Sequence, residues 1–464
     1  MKKMRKIFAV LLTLAMVLAM SIPTFAAPTA TAKITVDKLT PNDNTTVSIY
    51  QVVKFNNAES KWEVSDWVKE ALKKDSTLVN LEEEPAVINY EKLYKDYLPA
   101  EATYTKTKIN DSSVDFTNLE VGAYLIIASG DKTSYTVMGA ATYGYDENNN
   151  LIKPIEAKVN AKGEKYTVVK SLVNRNQEFV MKGDTVEFNI STVFPSYDPK
   201  NENKTFIITD KPTGMKITNV EVTVGGETVD SANYEVSELN KKDTAVTVSF
   251  KKDYIGNSNE HAAKEVIVKV TAVITSDDGI YKNEATSNYD SDPFEVTGRS
   301  GSLTIYKTTN EKNVEDRKPL TGAKFSIVKT VDGEEGESLE FVELEAGEYT
   351  LYTDDTEIPA GKTKVTEVTV GANGKVLLKG LGTGTYKITE TLAPEGYSIN
   401  NNIPDATISA GEKTENIEIN VPDTKLSALP STGGIGTTIF TIAGCLIMVT
   451  AAGLFFASRK RTNK

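Results

Sequence analysis

The sequence has very little of two residue types that carry much of protein chemistry. Its 464 residues include one cysteine, Cys445, and one histidine, His261. A lone cysteine excludes an internal disulfide, and the lack of Cys/His clusters excludes the usual transition-metal sites. A Ser/His/Asp hydrolase would have to use His261 as its base, and the polar residues 257–261 predict a solvated loop there. We therefore predict a protein that is not an enzyme, with no cofactor and no metal.

Acidic residues outnumber basic ones, and the excess is largest between the two ends of the chain. The formal net charge is −12, and residues 1–26 and 433–464 carry eight basic residues and no acidic ones. Without these ends the charge falls from −12 to about −20. So acidic a surface argues against nucleic acid and anionic membranes as partners.

The two long apolar runs lie near the ends, and the first of them predicts a signal peptide. Its basic n-region contains Lys2, Lys3, Arg5 and Lys6. Residues 7–20 form an apolar h-region, and Thr24, Phe25 and Ala26 form a small-x-small cleavage site. The h-region is too short for a transmembrane helix. The mature chain is then expected to begin at Ala27.

The second run, residues 435–457, is long enough to cross a hydrocarbon core of ~30 Å as a helix. It is preceded by the string Leu429, Pro430, Ser431, Thr432 and Gly433, and followed by the basic residues Arg459, Lys460, Arg461 and Lys464. A basic end would keep the tail in the cytoplasm. This arrangement resembles the cell-wall sorting signal of Gram-positive surface proteins, which sortases recognise. The resemblance implies cleavage after Thr432 and transfer of its carboxyl group to an amine.

Between the ends, short runs of alternating apolar and polar residues are bounded by Gly, Asn, Asp and Pro, as in half-buried antiparallel strands. The one clear helical pattern covers residues 62–72. We predict an all-β fold of tandem β-sandwich domains. The expected segments are a signal peptide at 1–26, domains at 27–160, 161–299 and 300–424, and a linker with the sorting signal, transmembrane helix and basic tail at 425–464.

The last of these domains directs two charged side chains inward. Leu303, Ile305 and Lys307 have the same parity on one strand, so Lys307 points where the apolar residues point. Tyr386, Ile388 and Glu390 share a face in the same way. A buried lysine needs a partner.

These strings, with Leu320 to Phe325 and the segment Tyr386 to Tyr397, resemble the Cna-B domain of Gram-positive pilins and adhesins. That family's signature YxLxExxAPxGY is met, with isoleucine in place of leucine. The resemblance implies that Lys307 bonds covalently to an Asn or Asp on the last strand while Glu390 assists. Burial disfavours the charged forms of both groups, which favours a nucleophilic amine and a proton-donating acid. The alternative is a plain buried ion pair.

The acceptor in this domain is open between two residues. On the final strand Asp423 is in phase with Ile417, Ile419 and Val421, which favours Asp423. Asn420 has the opposite parity but is the residue type usual in the family, and a bulge would reverse the phase.

The middle domain repeats the pattern with different strings. Lys170 shares a face with Tyr166 and Val168, Asp210 ends an apolar strand, and Asn283 is in phase with Tyr281 and Ala285. This region resembles the isopeptide-forming middle domain of fimbrial shaft proteins. The resemblance implies a Lys170–Asn283 bond assisted by Asp210. The alternative is that these are solvated polar residues at strand ends.

The first domain resembles the N-terminal domain of the same shaft proteins through residues 119–126. It has Ala128 where the third domain has its acid, and although Lys38 could face the core, no matching acid is evident. We predict no internal bond there.

Shaft pilins join subunits through a lysine in a VxVYPK motif at the end of the first domain. The corresponding residues 157–162 match at Val159 and Lys162 and lack the Tyr-Pro pair. We predict Lys162 as the linking residue, with Lys158 and Lys165 as alternatives.

The resulting prediction is a structural subunit of a covalent cell-surface pilus. Sortase would join Thr432 to Lys162 of the next identical subunit and would join the terminal subunit to peptidoglycan. The alternative is a monomeric wall-anchored adhesin that binds a host surface ligand.

Overall fold

The computed structural model describes residues 32–83, 85–197, 201–256, 260–331, 334–411, 414–426 and 436–461. The predicted signal peptide and the LPSTG motif lie outside the described residues. Three β-rich modules follow one another, and the core clusters are confined to single modules apart from one residue at the second junction. The expected all-β fold with a C-terminal apolar helix is confirmed.

Among its described residues the first module contains fourteen strands and two helices. They are β1 Ala32–Asp37, β2 Thr45–Asn56, β3 Lys61–Val64, α1 Asp66–Leu72, β4 Val79–Asn80, β5 Val87–Ile88, α2 Tyr90–Asp96, β6 Tyr104–Ile109, β7 Ser113–Leu119, β8 Gly122–Ser129, β9 Thr133–Tyr135, β10 Met138–Ala141, β11 Gly144–Tyr145, β12 Leu151–Ile152, β13 Glu156–Asn160 and β14 Gly163–Lys165. The main sheet has the order β14-β9-β8-β2-β3, and a second sheet has the order β13-β1-β7.

Strand β8 explains why this module has two core clusters. Its first seven residues are all buried, because one face packs on the smaller sheet and the other packs on the layer that contains both helices. A strand covered on both faces has a continuous apolar sequence rather than an alternating one.

The predicted helix over residues 62–72 is shorter than expected. Helix α1 begins at Asp66, and Trp62 lies in β3 opposite Phe55 of β2. The Trp62 ring packs at 5.0 Å from the Phe55 ring and 4.1 Å from Tyr143, between ring centres. Cross-strand packing therefore outweighs the helical spacing at this residue.

The second module is a sandwich of two five-stranded sheets. Its elements are β15 Val169–Leu172, β16 Thr185–Val193, β17 Ile207–Thr213, β18 Met215–Val224, β19 Glu227–Thr228, β20 Tyr234–Val236, β21 Val246–Phe250, α3 Lys252–Ile255, β22 Glu265–Ile274, β23 Tyr281–Ser287 and β24 Phe294–Gly298. The sheet orders are β15-β16-β22-β18-β19 and β20-β21-β17-β23-β24. Every second residue of β22 is buried, as its alternating sequence predicts.

His261 lies in a turn, as expected for a loop, but it is partly buried against aromatic rings rather than fully solvated. Its ring stacks on Tyr254 at 4.3 Å between centres and lies 5.3 Å from Phe194. Burial lowers the pKa of His261, which favours the neutral ring in this aromatic cluster. Phe194 is distant from His261 in sequence, so the polar residues around His261 gave no sign of this contact.

The third module is a second sandwich. Its strands are β25 Gly301–Thr309, β26 Lys324–Val331, β27 Glu334–Ser338, β28 Phe341–Glu345, β29 Glu348–Leu351, β30 Lys364–Val365, β31 Glu367–Thr369, β32 Lys375–Leu381, β33 Gly384–Leu392, β34 Ala406–Ile408 and β35 Asn416–Asp423. One sheet has the order β30-β28-β29-β32-β25-β35, and the facing sheet has the order β27-β26-β33-β34 with β31 beside β26. The first strand, β25, is parallel to the last, β35.

Both junctions between modules are held by direct contacts. Strand β14 pairs with β9, so the first module's sheet extends to Lys165, beyond the predicted boundary at residue 160. The N–H of Tyr135 then donates to Oγ of Ser196 in the second module at 3.4 Å. At the second junction, Phe179 packs into the core of the third module, and Lys216 pairs with Asp355 at 2.6 Å.

A single helix, α4 Gly436–Arg461, follows the third module. Its segment Ile439–Arg459 has a mean hydropathy of 2.3 and is long and apolar enough to cross a membrane. It is the one such helix among the described residues.

Candidate functional site

The third module brings together Lys307, Glu390 and Asp423, whose side chains are fully buried. Lys307 lies on β25 and Asp423 on the neighbouring β35, while Glu390 reaches across from β33 of the facing sheet. Nζ of Lys307 lies 2.8 Å from Oε1 of Glu390 and donates to Oδ1 of Asp423. Strand parity carries all three inward, as the apolar residues beside them indicate.

Side chains on β35 alternate between the two faces of the sheet up to the end of the strand, without a bulge. Asp423 is buried, whereas Asn420 is exposed and pairs in register with Tyr306 on the outer face. The structure therefore brings Asp423, and not Asn420, to Lys307. Burial raises the pKa of Asp423 to about 6, although the adjacent Lys307 opposes the shift.

The second module brings together Lys170, Asp210 and Asn283. Lys170 lies on β15 in one sheet, and the other two lie on the paired strands β17 and β23 of the opposite sheet. Nζ of Lys170 donates to Oδ1 of Asp210, and Nδ2 of Asn283 donates to Oδ2 of the same carboxyl group at 3.3 Å. The three side chains thus connect the two sheets through the core.

Electrostatics in this second cluster favour neutral groups. Burial lowers the pKa of Lys170 and raises that of Asp210, and each shift is partly offset by the other group. Nζ also lies 5.0 Å from the centre of the Phe188 ring. A neutral amine beside a protonated acid and an amide is the arrangement that acyl transfer needs.

The first module contains no comparable cluster among its described residues. Lys38 does not face the core: it is exposed with φ 61°, and the turn after β1 sends Leu39 inward instead. Ala128 is buried at the position where an acid would be needed. The module's buried acid is Asp43, which accepts from the N–H of Lys132.

The three lysines considered for linkage between subunits are all exposed. Lys158 forms an ion pair with Asp37 at 2.7 Å. Lys162 lies between β13 and β14, and its carbonyl accepts from the N–H of Thr136 at 3.1 Å, which fixes the backbone. Neither Lys162 nor Lys165 has an ion pair within the part of the chain that the structure describes.

Sequence reasoning missed two residues, one at the second junction and one beside the third-module cluster. Lys182 lies in the turn before β16, yet its side chain is fully buried between the second and third modules. Asn400 lies in the loop after β33, where its N–H donates to Oε2 of Glu390 at 2.8 Å. Both contacts join residues from separate elements, and loops carry no periodicity that would predict burial.

Comparison with known proteins gives two family matches. Residues 301–424 match the SpaA family, a prealbumin-like fold domain, and residues 421–464 match the LPXTG cell wall anchor motif. The chain is 24% identical over 336 residues to fimbrial subunit type 2 of Actinomyces naeslundii, a match that covers 65% of this chain. It is 22% identical over 429 residues to the trypsin-resistant surface T6 protein of Streptococcus pyogenes serotype M6, covering 73% of this chain and 78% of that protein.

The chain spans 62% of the length of the Actinomyces relative. Among solved structures, it has a TM-score of 0.47 and 13% identity with the T6 backbone pilin of serotype M6 Streptococcus pyogenes, covering 86% of this chain and 100% of that one. The Corynebacterium diphtheriae major pilin SpaA gives a TM-score of 0.40 and 17% identity, covering 85% and 100%.

The third module is therefore a prealbumin-like domain of the SpaA family, and the C-terminus carries an LPXTG cell wall anchor. The protein is a cell-wall-anchored surface protein related to fimbrial subunits. The sequence-based resemblance to such proteins is confirmed.

Proposed function

We propose that this protein is the shaft subunit of a covalently polymerised pilus. Sortase joins Thr432 of one subunit to Lys162 of the next identical subunit, and the terminal subunit is joined to peptidoglycan. Its relatives named as a fimbrial subunit and a T6 surface protein support this assignment. Two intramolecular isopeptide bonds, Lys170–Asn283 and Lys307–Asp423, strengthen the subunit.

The position of the two buried clusters along the chain carries this proposal. In a fibre, tension enters at the linking lysine and leaves at the sorting threonine. With both bonds formed, the covalent path crosses directly from Lys170 to Asn283 and from Lys307 to Asp423. The strands between the bonded residues are bypassed and do not unfold under load, which is the property a tensile fibre needs.

Each bond follows from one acyl transfer. In the second module the neutral Nζ of Lys170 attacks Cγ of Asn283, a new C–N bond forms, and the amide nitrogen leaves as ammonia. The proton released by Nζ travels to the leaving nitrogen through Asp210. In the third module Asp423 is the acceptor, Glu390 transfers the proton, and water leaves. Contact within a rigid core supplies an effective molarity on the order of 10⁵ M or more.

Lys162 is the preferred linking residue for a structural reason. Its amine is exposed and its backbone is fixed by Thr136, whereas the amine of Lys158 is engaged by Asp37. A fixed backbone with an unengaged amine suits attack on an acyl-enzyme, because little ordering is needed at the moment of reaction.

The test is a blot of cell-wall extracts boiled in detergent. Wild type is compared with Lys162→Ala, and Lys158→Ala and Lys165→Ala serve as matched controls. A high-mass ladder that collapses to monomer in Lys162→Ala alone supports the proposal. A ladder that collapses in a control variant moves the linkage to that lysine. A single wall-bound species in every strain, wild type included, contradicts polymerisation and favours a monomeric adhesin that binds a host ligand.

A further inference from the structure

The two candidate crosslinking clusters differ in how the assisting acid is oriented. In the second module the acid's first oxygen contacts Lys170, and its second oxygen, Oδ2 of Asp210, accepts from Nδ2 of Asn283 at 3.3 Å. The acceptor amide therefore holds the acid itself. In the third module the acceptor, Asp423, is a carboxyl group and has no amide N–H with which to hold Glu390 in this way.

A loop residue takes over that function in the third module. Oε1 of Glu390 faces Lys307 at 2.8 Å, and Oε2 accepts from the backbone N–H of Asn400, also at 2.8 Å. The side chain of Asn400 donates from Nδ2 to the carbonyl of Pro422 at 2.9 Å, one residue before Asp423. Asn400 thus contacts both the assisting acid and the strand that carries the acceptor.

The loop is held in place along the end of the module. The N–H of Ser398 donates to the carbonyl of Thr424 at 3.1 Å, and the N–H of Leu426 donates to the carbonyl of Gly396 at 2.9 Å. Asn400 continues this pairing toward the buried cluster, where the loop meets β35. Without its side-chain bond, the loop loses its attachment next to Asp423, and the N–H that holds Glu390 is free to shift.

We propose that Asn400 is a positioning residue for formation of the Lys307–Asp423 bond, in place of the orienting amide that the second module's acceptor supplies. The inference rests on the proposed bond. With Oε2 held, Oε1 stays against Nζ while the neutral amine attacks Cγ of the protonated Asp423. A C–N bond forms and a C–O bond breaks. Oε1 relays the proton from Nζ to the leaving hydroxyl, which departs as water.

The rate of bond formation in Asn400→Ala tests this role. The full chain is made by cell-free synthesis in detergent, quenched at timed intervals in denaturant and digested, and each crosslinked peptide is quantified by mass spectrometry. We expect the Lys307–Asp423 peptide to form about tenfold more slowly or worse, the effect of losing one charge-assisted hydrogen bond. The Lys170–Asn283 peptide, measured in the same samples, keeps its rate. Asn401→Ala, an exposed neighbour, is the matched control and leaves both rates unchanged.

A second background separates positioning from general loop stability. In Asp423→Asn the new amide can hold Glu390 directly, so Asn400→Ala is expected to slow the reaction little there. The proposed role is overturned if Asn400→Ala slows formation of the third-module bond equally in both backgrounds. It is also overturned if the Asn400→Ala single variant forms the Lys307–Asp423 bond at the wild-type rate. If the wild-type chain yields no crosslinked Lys307–Asp423 peptide, the bond itself is refuted. This outcome tests the proposed function separately, because it is seen in the wild type before any variant is compared.

Discussion

Lys182 and Thr350 join the second module to the third. Nζ of Lys182 lies 3.0 Å from Oγ1 of Thr350, and the lysine side chain is fully buried at the junction. The same ammonium pairs with Asp277 at 2.8 Å, and the N–H of Lys182 donates to the carbonyl of Gly380 at 2.9 Å. The two modules are therefore connected by a network of hydrogen bonds as well as by the chain.

We expect Lys182→Met to weaken this junction. Methionine keeps most of the buried stem but removes the hydrogen bonds from Nζ to Thr350 and Asp277, which costs about 0.5–1.5 kcal/mol of unfolding free energy for each bond. Denaturant unfolding of the single and double variants with Thr350→Val measures the coupling between the two residues, expected at roughly 0.5–1.5 kcal/mol.

The matched control at this junction is Lys216→Met. Lys216 also crosses it, to Asp355, but that pair is partly exposed and is expected to contribute less than about 1 kcal/mol. If the effects of Lys182→Met and Thr350→Val on the free energy of unfolding are strictly additive, the contact between the two residues does not couple the modules energetically.

Intact mass distinguishes bonds from ion pairs and identifies the acceptor. A chain with both bonds is lighter than its sequence by one ammonia, from Asn283, and one water, from Asp423. Asp423→Asn is expected to replace the lost water by a second ammonia, because the leaving group changes. High-resolution mass spectrometry of the denatured chain makes the measurement.

The control for this acceptor is Asn420→Ala, which is expected to change nothing beyond its own residue mass. If Asn420→Ala no longer shows the mass loss that accompanies the third-module bond, Asn420 is the acceptor. A wild-type mass equal to that of the unmodified sequence would leave both clusters as buried ion pairs.

Strand parity was enough to predict much of the candidate site. Leu303, Ile305 and Lys307 are buried together, and Asp423 follows the inward phase of its strand, because side chains on a pleated strand alternate between faces without exception unless a bulge intervenes. The same rule predicts which face carries Lys170.

Residues that act from loops and junctions were not predictable in this way. Lys182 is buried by a neighbouring module, His261 is partly covered by the rings of Tyr254 and Phe194, and Asn400 is partly buried where its loop meets β35. Each environment is created by long-range contacts, while the local sequence around each residue is polar. Periodicity within one element contains no information about such partners.

The stabilising effect of the third-module bond is tested by Glu390→Gln. This change keeps the size of the side chain but removes the acid that transfers the proton, so the bond is expected not to form. The bond closes a loop across a sequence separation of 116 residues. Its loss is expected to lower the free energy of unfolding by about 4–5 kcal/mol, by analogy with a disulfide across a loop of that size.

Denaturant unfolding of the wild type and Glu390→Gln gives this difference. The ammonia deficit of the second module in the same variant serves as the internal control, since it should persist. If Glu390→Gln does not show the mass loss of one water but is as stable as the wild type, a mechanical role for the bond is contradicted.

The pH dependence of an unbonded third module follows from Asp423. Lys307→Met prevents the bond and leaves a buried carboxyl group at residue 423. Burial raises the pKa of Asp423 to about 6 against an opposing effect of Lys307, so removal of the lysine raises it further. The folded state then binds the proton more tightly than the unfolded chain, whose carboxyl has its ordinary pKa of 3.8. Stability is fully present below pH 3.8 and is lost as pH rises through about 6 and above.

Unfolding of Lys307→Met from about pH 4 to about pH 8 measures this loss. The control is Lys307→Met combined with Asp423→Asn, which has no titrating group at residue 423 and is expected to lose much less stability over the same range. Glu390 is present in both variants, so the two differ only at residue 423. If the stability of the two variants depends on pH in the same way, the folded module does not retain its proton on the carboxyl of Asp423. That result would remove the case for a protonated acceptor at residue 423.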